Sequence, residues 1–582
     1  MGIGGKMTSK RVVLDIEANG FTPDKIWCIV CQDVATSEVT YYTPRNLREF
    51  TLEGITEIIG HNILGYDIPV LERLLKLDFT GIQLTDTLVM SRLFKPTREG
   101  GHSLKVWGER LGNLKGDFTE FSYYSDEMLE YCINDVAVNV KTYNHLMVES
   151  KGFSAKSIQL EMDVHAIISE QVKNGWLLDE QKAFMLLAEL KEKMIEAEDT
   201  VRERFTPLPV WVEKNYPKNP TKKDGTEAAI MGKHRDKGYH YDDDFSYGVF
   251  EYPIFNLGSR QQIGRYLVHY GWTPKEFTET GLPKIDEKVL EGVDIPEAVM
   301  IKEFLLLQKR VGMVLSWIES VEDDGRVHGY VNPIGAQTNR MSHSSPNVAQ
   351  VPASYSPYGK ECRECWIVPK GYKLVGCDAS GLELRMLASY LKDEEYTKQI
   401  LDGDIHTYNM NMAGLTSRDQ AKTFIYAFLY GGGDVKIGQI VGGGAKEGKK
   451  IKAAFFKSIP LLEKLITQVK RASARGFLKG LDGRKIWVKS EHSAPNYLLQ
   501  SAGAIVMKQA LVLLYASAKK EKLDFKFVGN IHDEYQTQVL EEHSERFGVL
   551  AVQAIINAGV ELKMNCPLDG ESKIGNNWYE CH

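Results

Sequence analysis

The stretch "DFKFVGNIHDEYQTQV" leaves the chain few choices. Two runs tinged with apolar residues flank a short polar turn, a pattern that predicts an antiparallel β-hairpin with His532, Asp533 and Glu534 at its tip. A turn needs polar residues, but it does not need a histidine beside two acids. Charge concentrated there calls for a partner elsewhere.

The candidate partner lies upstream. "YKLVGCDASGLELRMLASYL" reads as an apolar strand ending in Asp378, a tight turn, and a helix carrying Glu383 and Arg385. Taken alone, an aspartate between strand and helix is an N-cap or turn residue. The segment "TSRDQAKTFIYAFLYGGG" changes that reading. Arg418, Lys422, Tyr426 and Tyr430 are spaced four apart, and each step turns the helix by only about 40°, so the four share one broad stripe. Two cations followed by two rings can hold a triphosphate and stack on a base.

A second acid set opens the chain. In "VVLDIEANGF" Asp15 and Glu17 share one face of a strand, because side chains repeat every second residue. Their repulsion beside a hydrophobic run favours a bound cation; a solvated edge strand is the plainer alternative. "GHNILGYDIPVL" places His61, Asn62 and Asp67 ahead of a helix, and "EYCINDVAV" puts Tyr131 and Asp135 on one helix face at i, i+4.

Length and composition bound the rest. At 582 residues the chain exceeds a single core and predicts roughly three to five folding units. Its 43% hydrophobic and 26% charged residues are those of an ordinary soluble globular protein, and a net charge of −7 neither advertises nor excludes a nucleic-acid partner. No uninterrupted apolar run reaches about 18 residues, so no transmembrane helix and no membrane partner are expected. "MGIGGKMTSK" lacks a signal-peptide core, which makes the cytoplasm the default location. Eight cysteines are too sparse for a disulfide framework. The C-x-x-C pairs Cys28/Cys31 and Cys362/Cys365 predict no zinc: the first falls in a strand whose positions three apart point to opposite faces, and the second lacks two further ligands. "GGAKEGKK" nearly spells a P-loop, but Lys450 stands where a magnesium-binding hydroxyl is required.

Along the chain, residues 11–150 alternate strand-like and helix-like segments. Two long adjacent helices over about 154–205 predict an arm. Residues 206–255 form an excursion, partly loop, after which helices resume and mixed strand and helix follow Asp324.

The acid set that opens the chain resembles the DnaQ-like 3'-5' exonucleases, whose D-x-E, N-x-x-x-x-D and Y-x-x-x-D motifs match Asp15 and Glu17, Asn62 with Asp67, and Tyr131 with Asp135. The resemblance implies that the four acids hold two metal ions and that Tyr131 helps to orient the attacking water. Over nearly its whole length the chain resembles family A DNA polymerases, the DNA polymerase I type, and most closely the replicative enzymes of short-tailed bacteriophages. "DASGLELR", "RDQAKTFIYAFLYG" and "HDE" match that family's palm and fingers motifs, and "NRMSHSSPNVAQVP" and "NYLLQSAGA" its primer and template contacts.

The resemblance implies an α/β and α+β multidomain fold. An RNase H-like 3'-5' exonuclease domain over 1–150 precedes a right-hand polymerase: a thumb over 151–330 with an insertion at 206–255, then palm and fingers over 331–582, with fingers at about 395–490. It also implies a two-metal mechanism in which Asp378, Asp533 and the backbone carbonyl of Ala379 are ligands. Mg2+ is the expected ion, two in each site, with Mn2+ as a substitute. His406, Arg418 and Lys422 are expected on the phosphates of the incoming dNTP, Tyr430 near the templating base, and Glu383 where a ribose 2'-OH would sit. Arg340, Asn347, Gln350, Asn496, Gln500 and His532 are expected against the primer-end minor groove, with Glu534 as an indirect or occasional metal ligand.

Expected partners are primer-template DNA and dNTPs, with a replicative helicase-primase as a candidate, in the cytoplasm of a phage-infected host. In some phage relatives a longer basic insertion in the thumb binds host thioredoxin. Here the segment is shorter, with Lys214, Lys218, Lys222, Lys223, Lys233, Arg235 and Lys237 followed by Asp242 to Asp244, and direct DNA contact by the lysines is the simpler reading. A stand-alone exonuclease with a degenerate C-terminal clamp and a non-catalytic DNA scaffold are the competing readings; intact Asp378, Lys422 and Asp533 weigh against both. The Tyr426 position governs discrimination against dideoxynucleotides in this family, a tyrosine implying little. Tyr426→Phe should therefore make chain terminators incorporate much less readily in primer extension; unchanged termination would remove the assignment.

Overall fold

A computed structural model describes residues 10–112, 118–242 and 245–582, so that Asp243 and Asp244 of the acidic run lie outside the described residues. The chain divides into two compact units, one running to Leu178 and resuming over Ser320–His582, the other Asp179–Glu319.

The first unit opens with a five-stranded sheet in the order Val39–Tyr42, Ile26–Asp33, Lys10–Ala18, Ile55–Gly60, Gln83–Asp86. Lys10–Ala18 runs antiparallel to one neighbour and parallel to the other. A central strand covered on both faces must be apolar nearly throughout, and Val12, Val13, Leu14 and Ile16 are all buried. The helix Asp126–Glu149, capped by the Ser125 hydroxyl, packs against this strand. All eight cysteines are buried and unbridged. Burial pushes the Cys31 thiol up to about 12, and the side chain packs as a small hydrophobe.

The two long helices expected to form one arm belong to different units. Ala155–Asn174 sends Leu160, Val164, Ile167 and Ile168 into the large core of the first unit, and Asn174 Nδ2 donates to the Phe527 carbonyl at 3.1 Å. Gly175 then turns the chain at φ +60°, where a Cβ would come within 2.7 Å of the His328 ring. The short strand Trp176–Leu178 follows, paired with Arg326–Val327 and Trp366–Ile367. The second unit thus begins after Leu178 and ends at Glu319, narrower than the 151–330 expected.

Within the second unit, Glu180–Arg204 pairs with Pro296–Glu319. Their shared core includes Val201, Phe205, Phe255, Tyr266, Leu267 and Phe304. The 206–255 excursion has structure of its own: Tyr247–Glu251 is the middle strand between Val210–Glu213 and His240–Tyr241, and Ala229–Asp236 is helical. Two of its cations are paired internally, Lys214 with Glu251 at 3.7 Å and Arg235 with Glu227 at 2.5 Å.

The C-terminal part of the first unit is built on an antiparallel sheet in the order Phe525–Ile531, Glu534–Leu540, Tyr372–Ala379, Gly570–Gly575. The helices Ala494–Lys520 and Ser544–Glu561 pack together, the latter also against the sheet. By length and composition Glu491–Lys520 is apolar enough to cross a membrane, but 72% of its apolar 18-residue stretch is buried inside the unit. It is apolar all round because it is a core helix. Helices from Glu394 to Ser473 and the hairpin Phe477–Lys479/Lys485–Trp487 lie between the Tyr372–Ala379 strand and this helix in sequence.

Candidate active sites

The hairpin predicted around residues 529–535 forms, with Ile531 opposite Glu534 and a two-residue turn of His532 and Asp533. His532 takes φ +58°, a left-handed conformation usually given to glycine in such turns. A non-glycine residue there costs on the order of 1 kcal/mol, which the surrounding sheet must hold in place. One strand over, Asp378 faces Glu534 in register, and the Ala379 N–H donates to the Asp533 carbonyl at 3.0 Å. The two aspartates predicted to act together are thereby brought side by side. Gly381, at φ +54°, then turns the chain into the helix Leu382–Leu391 that carries Glu383.

Crowding by protein and then the Asp533 charge push the Asp378 carboxyl up to about 7, although the residue is exposed. Burial, followed by Glu383, pushes Asp533 up to about 6. Oxygen donors whose ionisation is costly without a counter-charge suit a hard divalent cation. Glu534 differs from the tip residue expected. It is buried in the strand, accepting from Trp578 Nε1 at 2.6 Å and from Gln536 Nε2, with His582 Nδ1 at 2.9 Å. Although burial opposes it, hydrogen bonding to His582 and Gln536 holds its carboxyl below the usual value.

Arg418, Lys422 and Tyr426 lie on the helix Arg418–Leu429, and Tyr430 is its C-cap. The opposite face buries Ala421, Phe424 and Ile425, leaving Arg418 and Lys422 exposed. Arg418 Nε donates to Asp404 Oδ2 at 2.8 Å, a partner sequence reasoning missed. Asp404 caps the helix Ile405–Ala413 that carries His406. Burial, then the Arg418 and Lys422 charges, hold the His406 imidazole below its usual value; its ring centre is 6.3 Å from that of Tyr426. The Tyr430 hydroxyl donates to Glu383 Oε1 at 2.9 Å, and Arg340 Nη2 reaches the same oxygen at 3.4 Å.

Arg340, Glu383, His532 and Asp533 line one cavity. Asn496 lines another, beside Phe428 and Gly431, and Gln500 follows one turn later on the same helix. Asn347 and Gln350 lie at the 3-10 turn Val348–Gln350, outside both linings. The buried amide oxygens of Asn347 and Asn496 have no partner among the described residues.

In the first sheet, Asp15 and Glu17 share the strand Lys10–Ala18, and Asp67 begins the helix Asp67–Leu75. Asp67 Oδ1 accepts the N–H of Ile16, between the other two acids, at 3.1 Å. Burial pushes the Asp67 carboxyl up to about 7. Tyr131 and Asp135 lie on the helix Asp126–Glu149, Asp135 buried and the Tyr131 ring 5.6 Å from that of Phe118. Sequence reasoning missed Cys132, whose Sγ donates to Asp15 Oδ2 at 3.5 Å; ligand atoms of Asp15, Glu17 and Cys132 lie within 4.8 Å of one another. Its place three residues before Asp135, on the same helix face, was the available signal.

The raised carboxyls carry a stability consequence. A carboxyl whose folded-state pKa is raised contributes stability that is fully present below the unfolded value and is lost as the pH rises from that value through the folded one. The metal-free protein should therefore lose thermal stability progressively from about pH 4, where these carboxyls ionise in the unfolded chain, until about pH 7, where Asp533 and Asp378 have both ionised in the folded one. Asp378→Asn should lessen that fall; an unchanged slope would refute the strained pair.

Comparison with known proteins matches the pattern described as DNA polymerase family A to residues 246–580. DNA-directed DNA polymerases of Enterobacteria phage T3 and Escherichia phage T7 are each 32% identical, covering 98% of this chain and 100% of theirs. A solved structure described as the POL domain of Pol1 from M. smegmatis in complex with DNA primer-template and dNTP superposes with a TM-score of 0.78. It is 17% identical and covers 99% of this chain and 96% of that one, a likeness of fold. The chain belongs to DNA polymerase family A and is a template-directed DNA polymerase.

Proposed function

We propose that this chain extends a primer 3' end with dNTPs at Asp378 and Asp533, and removes 3' nucleotides at Asp15, Glu17, Asp67 and Asp135, so that synthesis is proofread. The observation that carries the reading is the backbone bond from Ala379 to Asp533, which sets two costly carboxylates side by side, Asp533 lining a cavity with Arg340 and Glu383. Asp378, Asp533 and the Ala379 carbonyl would hold divalent ions, Mg2+ by preference and Mn2+ in its place, two per site. When bound, such ions lower the pKa of the primer 3'-hydroxyl and neutralise charge on the leaving pyrophosphate.

The chain's own residues do the positioning. Arg418, Lys422 and His406 would bind the triphosphate, which requires Arg418 to leave Asp404. Tyr430 and Tyr426 would flank the nascent base pair. Glu383, held by Tyr430, would occupy the space of a 2'-hydroxyl. Arg340, Asn347, Gln350, Asn496, Gln500 and His532 would line the primer-end minor groove, where acceptors are alike for every correct pair. In the exonuclease part, read as an RNase H-like domain over about 1–150, Tyr131 would orient the attacking water. The second unit is read as the thumb. The M. smegmatis POL domain was solved with DNA primer-template and dNTP bound, which supports ligands of the same kind here. The setting we propose is replication of phage DNA in the host cytoplasm.

Separating the sites tests the reading. Asp378→Ala should abolish extension and leave degradation of single strands; Asp15→Ala should do the reverse. One substitution removing both activities would refute two independent sites.

A further inference from the structure

A buried ion network adjoins the cavity that Arg340, Glu383 and Asp533 line. Arg484, from the hairpin loop, is wholly buried and spends its guanidinium on Asp482, Glu161 and Asn339. Lys508 Nζ donates to Glu161 Oε1 at 2.7 Å and Oε2 at 2.9 Å. Two cations and two carboxylates cancel, but removing such a set from water is expensive, and apolar residues of similar volume would stabilise a core as well or better. The network therefore calls for a reason other than stability.

Asn339 supplies one. It is 1% exposed and sits at φ +61°, a conformation asparagine tolerates better than most residues. Its Oδ1 accepts from Arg484 Nη1 at 3.2 Å. The next residue is Arg340, whose carbonyl accepts from the Gly335 and Ala336 N–H groups at 3.2 Å each, so that the backbone on both sides of the Arg340 Cα is fixed. From this anchored base the Arg340 side chain reaches Glu383 in the cavity that His532 and Asp533 also line. Lys508 reaches both the network and that cavity.

We infer that Asn339, gripped by Arg484, is a positioning residue that aims Arg340 at the primer terminus, the buried ion network serving as its anchor. The inference rests on the reading of Arg340 as a primer contact. A glycine at 339 keeps the left-handed backbone without strain and removes only the side chain, which Arg484 and the Gln337 carbonyl hold, so the variants Asn339→Gly, Arg340→Ala and the double variant form a cycle. The full chain is assayed on a primed template, measuring kcat/KM for the first added nucleotide. Degradation of single strands and the Tm report whether the fold survives.

Each single substitution should lower kcat/KM about tenfold, the scale of a lost hydrogen bond to a charged group. The double variant should be no worse than Arg340→Ala. A purely structural role for Asn339 would act equally in both backgrounds, giving about a hundredfold loss in the double variant, and would overturn the inference. Full activity of Asn339→Gly beside an impaired Arg340→Ala would overturn it while leaving the primer-contact reading intact. Full activity of Arg340→Ala would overturn both.

Discussion

The ladder between Tyr372–Ala379 and Glu534–Leu540 holds together groups that repel. Seven residue pairs, from Tyr372 with Leu540 to Asp378 with Glu534, fix the register. Just past its end the Ala379 N–H binds the Asp533 carbonyl. A slip of one residue would turn Asp378 to the other face of the sheet and empty the site. Burial, with the neighbouring acid charges that the ladder gathers adding to it, leaves Asp378 at about 7 and Asp533 at about 6. Glu534 is the contrast, since three donors surround its carboxylate and one of them, Trp578, is braced by Arg363 at 4.5 Å and by Trp176 at 4.9 Å. Of three acids close in space, two lack such a set of donors among the described residues and one has its lone pairs largely taken.

A similar solution recurs in the first sheet with different parts. A strand supplies Asp15 and Glu17, a helix start supplies Asp67, and the Asp126–Glu149 helix supplies Tyr131 and Asp135. The Ile16 N–H, donating to the Asp67 carboxylate, plays the part that the Ala379 N–H plays in the other sheet, where it donates to a backbone carbonyl: each brings one acid beside the others. Cys132 differs from its oxygen neighbours in being a thiol whose burial holds its pKa well above the usual value, so near neutral pH it donates to Asp15 rather than adding a third anion.

Local patterns carried well from sequence to structure, and long-range choices did not. The charged hairpin, the strand ending in Asp378 and the four-residue stripe of the Arg418–Leu429 helix were legible because turn chemistry and periodicity act over a few residues. The arm over 154–205 was misread because periodicity says that a face is apolar without saying what covers it: Leu160 and Val164 meet the first unit's core, whereas Glu180–Arg204 pairs with a helix about a hundred residues later. Burial of Glu534 was illegible for the same reason, since its donors Trp578 and His582 arrive from the chain's last residues. Asp404, too, has no periodic signature as the partner of Arg418. The buried quartet of Glu161, Asp482, Arg484 and Lys508 could not be foreseen, because four ordinary charged residues from three separate segments announce nothing until they meet.

The central claim is that one chain carries two carboxylate sites acting in opposite directions on the same primer end. Primer length on a primed template with magnesium, followed with and without dNTPs, tests it most directly. The account predicts lengthening to the end of the template when dNTPs are present and progressive shortening when they are absent. Lengthening with no shortening, or shortening under both conditions, would contradict it.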